Sequence, residues 1–223
     1  SFFYSSGIRL TEKSDDGGLE LVLNNDRMYS LVDKLDTFFN RSNSAYLWKY
    51  GAAAEEHLDM HSGRILFRLI GVKGVKNYRD CVVEFGILPY PKYDESQDSY
   101  YSTIAPYGCS FICVPKVVSD VEMSGIILEA LAYESVSTVT PAYYDITLEG
   151  KMIRDDESSE MLDIILGNRV FDLGLFYQVG GYNEQIMNLF RNNKTDFTSM
   201  YETYKNSALA KLDEINAAFA EVE

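Results

Sequence analysis

The amino-acid sequence predicts an α/β fold in which helices outweigh strands. Two observations predict it. In several stretches opened by capping residues, apolar side chains recur every three or four positions. Between these stretches stand short β-branched or apolar runs with no helical period. The clearest helix is the last, where Phe197, Met200, Tyr201, Tyr204, Ala208, Leu212, Ile215 and Phe219 step by threes and fours. The clearest apolar run is residues 82–88, stopped by Pro89 and Pro91. Neither proline ring can donate to a sheet ladder, and each biases its predecessor to extended geometry.

Taken in order, residues 19–23 read as a short strand. Asn24, Asn25 and Asp26 supply cap candidates for a helix carrying Met28, Leu31, Val32, Leu35, Phe38 and Phe39 and ending near Asn40. A polar loop over 41–50 holds the single tryptophan, Trp48, and leads to a second helix over 52–60 closed by Ser62-Gly63. Residues 64–70 are apolar enough for a strand, and 71–80 form a glycine-punctuated turn. The stretch 84–101, EFGILPYPKYDESQDSYY, runs from a strand through two prolines and an acidic loop to Tyr100-Tyr101. Such an exit is where an α/β sheet passes its chain to another lobe or builds a ligand rim.

Residues 108–114 read as a further strand, stopped by Pro115. Ser119 and Glu122 have capping-box spacing and open a helix through about Glu134 with Val121, Ile127, Leu128 and Leu131. Thr140 followed by Pro141 reads as an N-cap with proline at the first helical position, starting a short helix that Gly150 closes. Asp155-Asp156 opens the next, where Met161, Leu162, Ile164 and Ile165 precede Gly167. Residues 169–177 are extended and aromatic, and Gly180-Gly181 loosens the chain before a helix through Phe190.

A chain of 223 residues, 46% of them apolar, is large enough for a real core in one domain or two small lobes. Twenty basic against 34 acidic residues leave a formal charge of −14, which argues against a nucleic-acid partner, since phosphate binding needs a positive field. No run of about 18 apolar residues reads as a membrane span, and the N-terminus lacks the basic flank and apolar stretch of a signal peptide. Three cysteines are an odd count and do not make a disulfide scaffold. Cys109 and Cys113, four apart in an extended strand, would stand roughly 13 Å from each other. That is beyond the about 7 Å a bridge tolerates, so both are expected as buried apolar residues.

No nucleophile elbow, P-loop or dinucleotide glycine signature is present. His57 and His61 share a helical face at the i, i+4 spacing of metalloproteases, but Leu58 stands where the catalytic glutamate should be. Neither a metal nor a cofactor is expected. The richest constellation is aromatic: Tyr143, Tyr144 and Asp145, with Tyr107, Tyr177 and Tyr182 and the amides Gln178 and Asn183. Tyrosine offers a flat apolar face with a hydroxyl at its end, which suits the C–H surface and hydroxyl edge of a sugar. These eight residues are the candidate ligand-binding set; no catalytic set is assigned.

Several blocks together resemble a known family: FGILPYPKYDESQDSYY, CSFICVPK, ILEALAYES, TPAYYDITLEGKMIRDDESSEMLDIIL and RVFDLGLFY. They resemble extracellular solute-binding proteins of bacterial ABC importers, nearest to the family 1, carbohydrate-type lipoproteins of Gram-positive bacteria, over nearly the whole chain. The resemblance implies a type II periplasmic-binding-protein-like fold. Residues 1–100 and 135–223 would form the second of two lobes, and 101–134 would be a strand–helix crossover segment belonging to the first. It implies a C-terminal portion of a longer, cell-surface lipoprotein whose lipid anchor lies outside this chain. Its partners would be a small solute, an oligosaccharide or sugar, and an ABC permease. Gly71 followed by Val72-Lys73, and Gly180-Gly181 before Tyr182, depart from the aromatic positions of maltodextrin-binding relatives.

The expected function is therefore non-catalytic solute binding for uptake, with the ligand held between two lobes. The lobe face would be built from the start of the Thr140 helix and the 177–183 turn, with Tyr107 beside it. Two alternatives are a glycan-acting hydrolase domain, using Asp145 and Glu149 at i, i+4 spacing, and a protein-interaction module. Residues 101–134 are expected to pack poorly within this chain, exposing Phe111, Ile112, Ile127 and Leu131.

Overall fold

The structure, a computed structural model, describes residues 2–42, 45–46, 60–144 and 155–221. In chain order the helices and strands are α1 (Phe2–Ser5), β1 (Thr11–Lys13), β2 (Leu19–Leu21), α2 (Asp26–Asp36), β3 (Ser102–Thr103), α3 (Val121–Ser137), α4 (Val139–Pro141), α5 (Asp156–Gly167), β4 (Arg169–Val170), α6 (Leu173–Phe176), α7 (Tyr182–Arg191) and α8 (Phe197–Ala220). Helix dominates, and the described strands form two small ladders. β1 pairs antiparallel with β2, and β3 pairs parallel with β4. The fold is thus mixed α and β, as the alternating pattern predicts. No helix of the described residues is long and apolar enough to cross a membrane.

The chain divides into two compact units, Ser1–Ala52 with Pro89–Gly108 and Ile165–Glu223, and Ala53–Leu88 with Cys109–Ile164. This division does not follow the expected boundaries: the segment 101–134 is split after Gly108, and residues 53–88 fall outside the unit that holds the rest of the first hundred.

The first unit owns the main core. Asn25 caps α2 by accepting a hydrogen bond from the Met28 N–H (3.0 Å), and Met28, Leu31 and Val32 are buried along one face. A wider π turn over Thr37–Arg41 continues the helix, as far as the spacing of Phe38 and Phe39 predicts. On α8 the predicted stripe is the buried one: Phe197, Met200, Tyr201, Ala208, Leu212 and Ile215. From the same helix Asn216 reaches β2, donating to the Leu19 carbonyl (3.0 Å) and accepting from its N–H (2.8 Å). A side-chain amide thus serves as a strand partner for an otherwise open edge, a device that covers unpaired backbone groups.

Beyond Pro89 the acidic loop is anchored on α2. The Tyr93 hydroxyl donates to Ser30 Oγ (2.6 Å), and the Lys34 ammonium sits 3.8 Å from the Tyr93 ring centre. Gln97 is buried; its amide donates to the Ser5 and Ser99 carbonyls at 2.8 and 2.6 Å and its oxygen accepts from the Tyr93 N–H. Residues 169–177, expected to be extended throughout, form only the two-residue β4 before Asp172 caps α6. The cap explains the difference, because a carboxylate on the Gly174 N–H favours helix entry.

In the second unit the turn over 71–80 is a short 3₁₀ helix, Val72–Tyr78, burying Val75 and Tyr78. Asp155 opens α5 as predicted, accepting from the Ser158 N–H (2.6 Å), and Leu162 is buried. Three expected strands are absent. Residues 64–70, 82–88 and 108–114 lie in none of the described ladders. Over 82–88 the exposure alternates residue by residue, as in a strand, but a strand requires a hydrogen-bonded neighbour that local pattern cannot supply. Correspondingly Cys113 is exposed and Cys109 only half-buried, not core residues; Cys81 is buried, and all three are free thiols.

The capping box shifts by one residue: Asp120, not Ser119, caps α3 by accepting from the Met123 N–H (2.8 Å). Thr140 lies inside α4, whose N-cap is Thr138, so the predicted start falls two residues late. The remainder of the predicted Thr140 helix, from residue 145, lies outside the described residues, as do His57 and most of the 52–60 helix. Helix α3 has no buried residue, and Ile127 and Leu131 are half or more exposed, with Phe111 and Ile112 also exposed before it.

Candidate functional site

The first unit brings five of the candidate residues together around the turn between α6 and α7. Asp172 caps α6, and the chain leaves that helix through Tyr177 and a left-handed Gln178 (φ 54°). Gly180 and Gly181 both take φ 61°. At Gly180 nothing larger fits, since an added Cβ would lie 2.7 Å from the Tyr182 ring and 2.9 Å from Ala208. The turn holds Gln178 by its amide, which donates to the Leu175 carbonyl (2.6 Å), and the Gln178 oxygen accepts from the Tyr107 hydroxyl (3.2 Å). Tyr107 is 85% exposed. Tyr177, partly exposed, meets Phe219 edge to face. Tyr107, Tyr177 and Gln178 therefore form an outward polar and aromatic surface, with Asn183 partly buried beside them.

Tyr182 is a correction. It has no exposed surface, its ring stacks on Tyr201 with centroids 5.4 Å apart, and its hydroxyl donates to the Tyr201 carbonyl (2.9 Å). Burial pushes its ionisation well above the ordinary tyrosine range. The ring is a core element that supports the turn rather than a platform for a ligand. The hollow under the turn, bounded by Leu10, Gly174, Gln178 and Asn183, is too small for a water molecule.

Tyr143 and Tyr144 belong to the second unit, where their rings meet edge to face at 5.5 Å; Tyr143 is exposed and Tyr144 half-buried. Asp145 lies outside the described residues.

The second unit also holds an arrangement not singled out in the candidate set. An open hollow of about 320 Å³ is lined by Glu84, Phe85, Gly86 and Asp155. Its walls are tied by a short relay: the Ile87 N–H donates to Ser158 Oγ (2.9 Å), and that hydroxyl donates to Asp155 Oδ2 (3.0 Å). Gly86 runs close to this relay, where an added Cβ would meet Ser158 Oγ at 3.3 Å. An aromatic side chain and two carboxylates thus line one concavity. Aromatic faces take C–H surface, and carboxylates accept from hydroxyls. The apolar run stopped by Pro89 and the helix start at Asp155 were both legible, but their meeting across 71 residues was not.

Comparison of the chain with protein-family models, with curated proteins and with solved structures returns no match.

Proposed function

We propose that this chain is a non-catalytic binding module for a carbohydrate or similarly hydroxylated small solute. The observation that carries the reading is the hollow of about 320 Å³ where Phe85 stands with the Glu84 and Asp155 carboxylates. An apolar face beside hydrogen-bond acceptors matches the two surfaces of a sugar ring, and the Ser158 relay preorganises one acceptor before any ligand arrives. The resemblance of the sequence blocks to exported solute-binding proteins supplies the biological setting. In that setting the chain is part of the second lobe of a type II periplasmic-binding-protein-like protein, anchored at the cell surface and delivering its solute to an ABC permease.

Isothermal titration of the chain against a panel of neutral mono- and oligosaccharides tests this. At least one is expected to bind, and Phe85→Ala should weaken it by about 1–2 kcal/mol, the scale of an aromatic contact and its buried area. Asp155→Asn should weaken it by a similar amount through loss of a charged acceptor. Heat-silent titrations across the panel would overturn the reading. So would turnover of a glycan that is lost on Asp145→Asn, which would make the chain a hydrolase.

A further inference from the structure

The hollow beside α5 carries more negative charge than a neutral ligand calls for. Glu84 and Asp155 both line it, the first exposed and the second half-buried, and neither is in an ion pair among the described residues. Asp155 accepts twice from Ser158, from the N–H on Oδ1 (2.6 Å) and from the hydroxyl on Oδ2 (3.0 Å). Both donors are neutral, so the carboxylate keeps its charge, and each oxygen keeps a lone pair for a further donor. Asp156 and Glu157 follow in the first turn of α5 and add to the same field. The positive end of the helix dipole, about half an elementary charge, does not balance them.

Phe85 sets the other surface. Its ring meets that of Tyr78 at 75°, with centroids 6.1 Å apart. The Arg68 guanidinium stands over Tyr78, 5.5 Å from the ring centroid, and not on either carboxylate of the hollow. An aromatic face beside carboxylates attracts a cation twice, through the ring quadrupole and through the full charges. An ammonium group brings three donors and no acceptor, which matches walls whose charged groups only accept. A carboxylated sugar meets like charge instead. At about 320 Å³ the hollow lies at the small end of ligand sites, with room for one ring and not for a chain of them.

We infer that the hollow takes a monosaccharide-sized solute bearing an ammonium group, an amino sugar, with the ammonium on the Glu84 and Asp155 carboxylates and the C–H face of the ring on Phe85. This assignment rests on the hollow being a sugar site, as proposed for the chain, and narrows its ligand from hydroxylated solutes in general to cationic ones.

The test is calorimetric titration of the full chain with glucose, N-acetylglucosamine and glucosamine, with the corresponding galactose trio, and with ethanolamine, which carries the charge without the ring. The measurement is made at about pH 6, where an amine flanked by hydroxylated carbons is protonated. Within one trio the amine is expected to bind about fivefold or more tightly than both neutral members, the scale of exposed charge pairs and a cation on a ring. It should also bind more tightly than ethanolamine, by about tenfold, since the ring contact on Phe85 is absent from the smaller molecule. Glu84 is exposed and closes no hydrogen bond among the described residues, so Glu84→Gln removes a charge without disturbing the fold. That variant should cut the amine's advantage to about twofold and leave neutral-sugar affinity unchanged, whereas Phe85→Ala should weaken amine and neutral sugar alike. Neutral and amino sugars binding equally would mean that the carboxylates are already balanced from within the chain, and overturns this inference while the sugar-site reading stands. Ethanolamine matching the amino sugar overturns it too, since attraction to a chain of net charge −14 would then suffice. An advantage untouched by Glu84→Gln does the same by placing the charge elsewhere. Silence of every sugar, neutral and amino, overturns both assignments.

Discussion

Tyr4 shows how a single side chain can carry a pH dependence. Its ring is fully buried, and its hydroxyl, which closes no hydrogen bond of good geometry, lies in the field of Asp172. Burial first, and the neighbouring carboxylate second, push its ionisation far above the ordinary value of 10.0. The folded chain therefore holds the phenol proton more tightly than the unfolded chain does. Stability from this source is fully present below about pH 10 and falls as the pH rises above it, by up to about 1.36 kcal/mol per pH unit for one tyrosine. Tyr182 and Tyr201, also raised by burial, add to the slope in the same direction. Urea unfolding at pH 8 to 11 should show this decline. Tyr4→Phe should leave stability at pH 7 within about 1 kcal/mol, because the hydroxyl it removes has little to lose, and should flatten the alkaline limb. An unchanged alkaline slope would assign the loss to other groups.

At the scale of elements, the junction of β1 with α6 depends on one carboxylate. Asp172 accepts from the Leu10 N–H (2.6 Å), the Thr11 hydroxyl (2.9 Å) and the Gly174 N–H (2.9 Å), all buried. Gly174 is required there, since an added Cβ would approach Thr11 Cγ2 to 2.6 Å. Asp172→Ala leaves the buried Leu10 N–H and Thr11 hydroxyl without this acceptor, while the Gly174 N–H keeps Thr11 Oγ1 (2.9 Å), and is expected to cost about 2–4 kcal/mol, read as a lower urea midpoint. Asp172→Asn, which retains one acceptor oxygen, should cost less. The cap role of Asp172 toward Gly174 is local and follows from residue type. Its hold on Leu10 and Thr11, more than 160 positions away, does not, and so this constraint on the turn that bears Gln178 was not visible in the sequence.

The whole molecule distributes its stability unevenly. One core cluster joins α1, α2, α7 and α8 of the first unit, from Tyr4 and Leu10 through Met28 to Phe197 and Leu212. In the second unit α3 exposes its apolar side chains on all sides. Amide exchange should follow this contrast: the slowest protons should lie in α8 and α2, and α3 should exchange by local opening at rates orders of magnitude faster. Equal protection of α3 and α8 would mean that α3 is already covered in the isolated chain.

What the sequence determined by itself was wherever the chain's instructions are local. The α8 stripe from Phe197 to Ile215, the Asn25 cap of α2 and the Asp155 start of α5 are each written within a few residues, and each is found. The exposure of Phe111, Ile112, Ile127 and Leu131 was expected from the resemblance, which assigns residues 101–134 to another lobe, and all four side chains are exposed. The tertiary structure decided what depends on a distant partner. Residues 82–88 carry strand alternation without joining a described ladder, because a ladder needs a second strand in register. Tyr182, placed by sequence on a ligand surface, is taken instead into the core by stacking on Tyr201, 19 residues on. Phe85 and Asp155 become one hollow only because Ser158 ties the Ile87 backbone to the start of α5. Helical period and capping act over one or two turns of chain, whereas pairing, stacking and pocket closure are set by which distant segments meet.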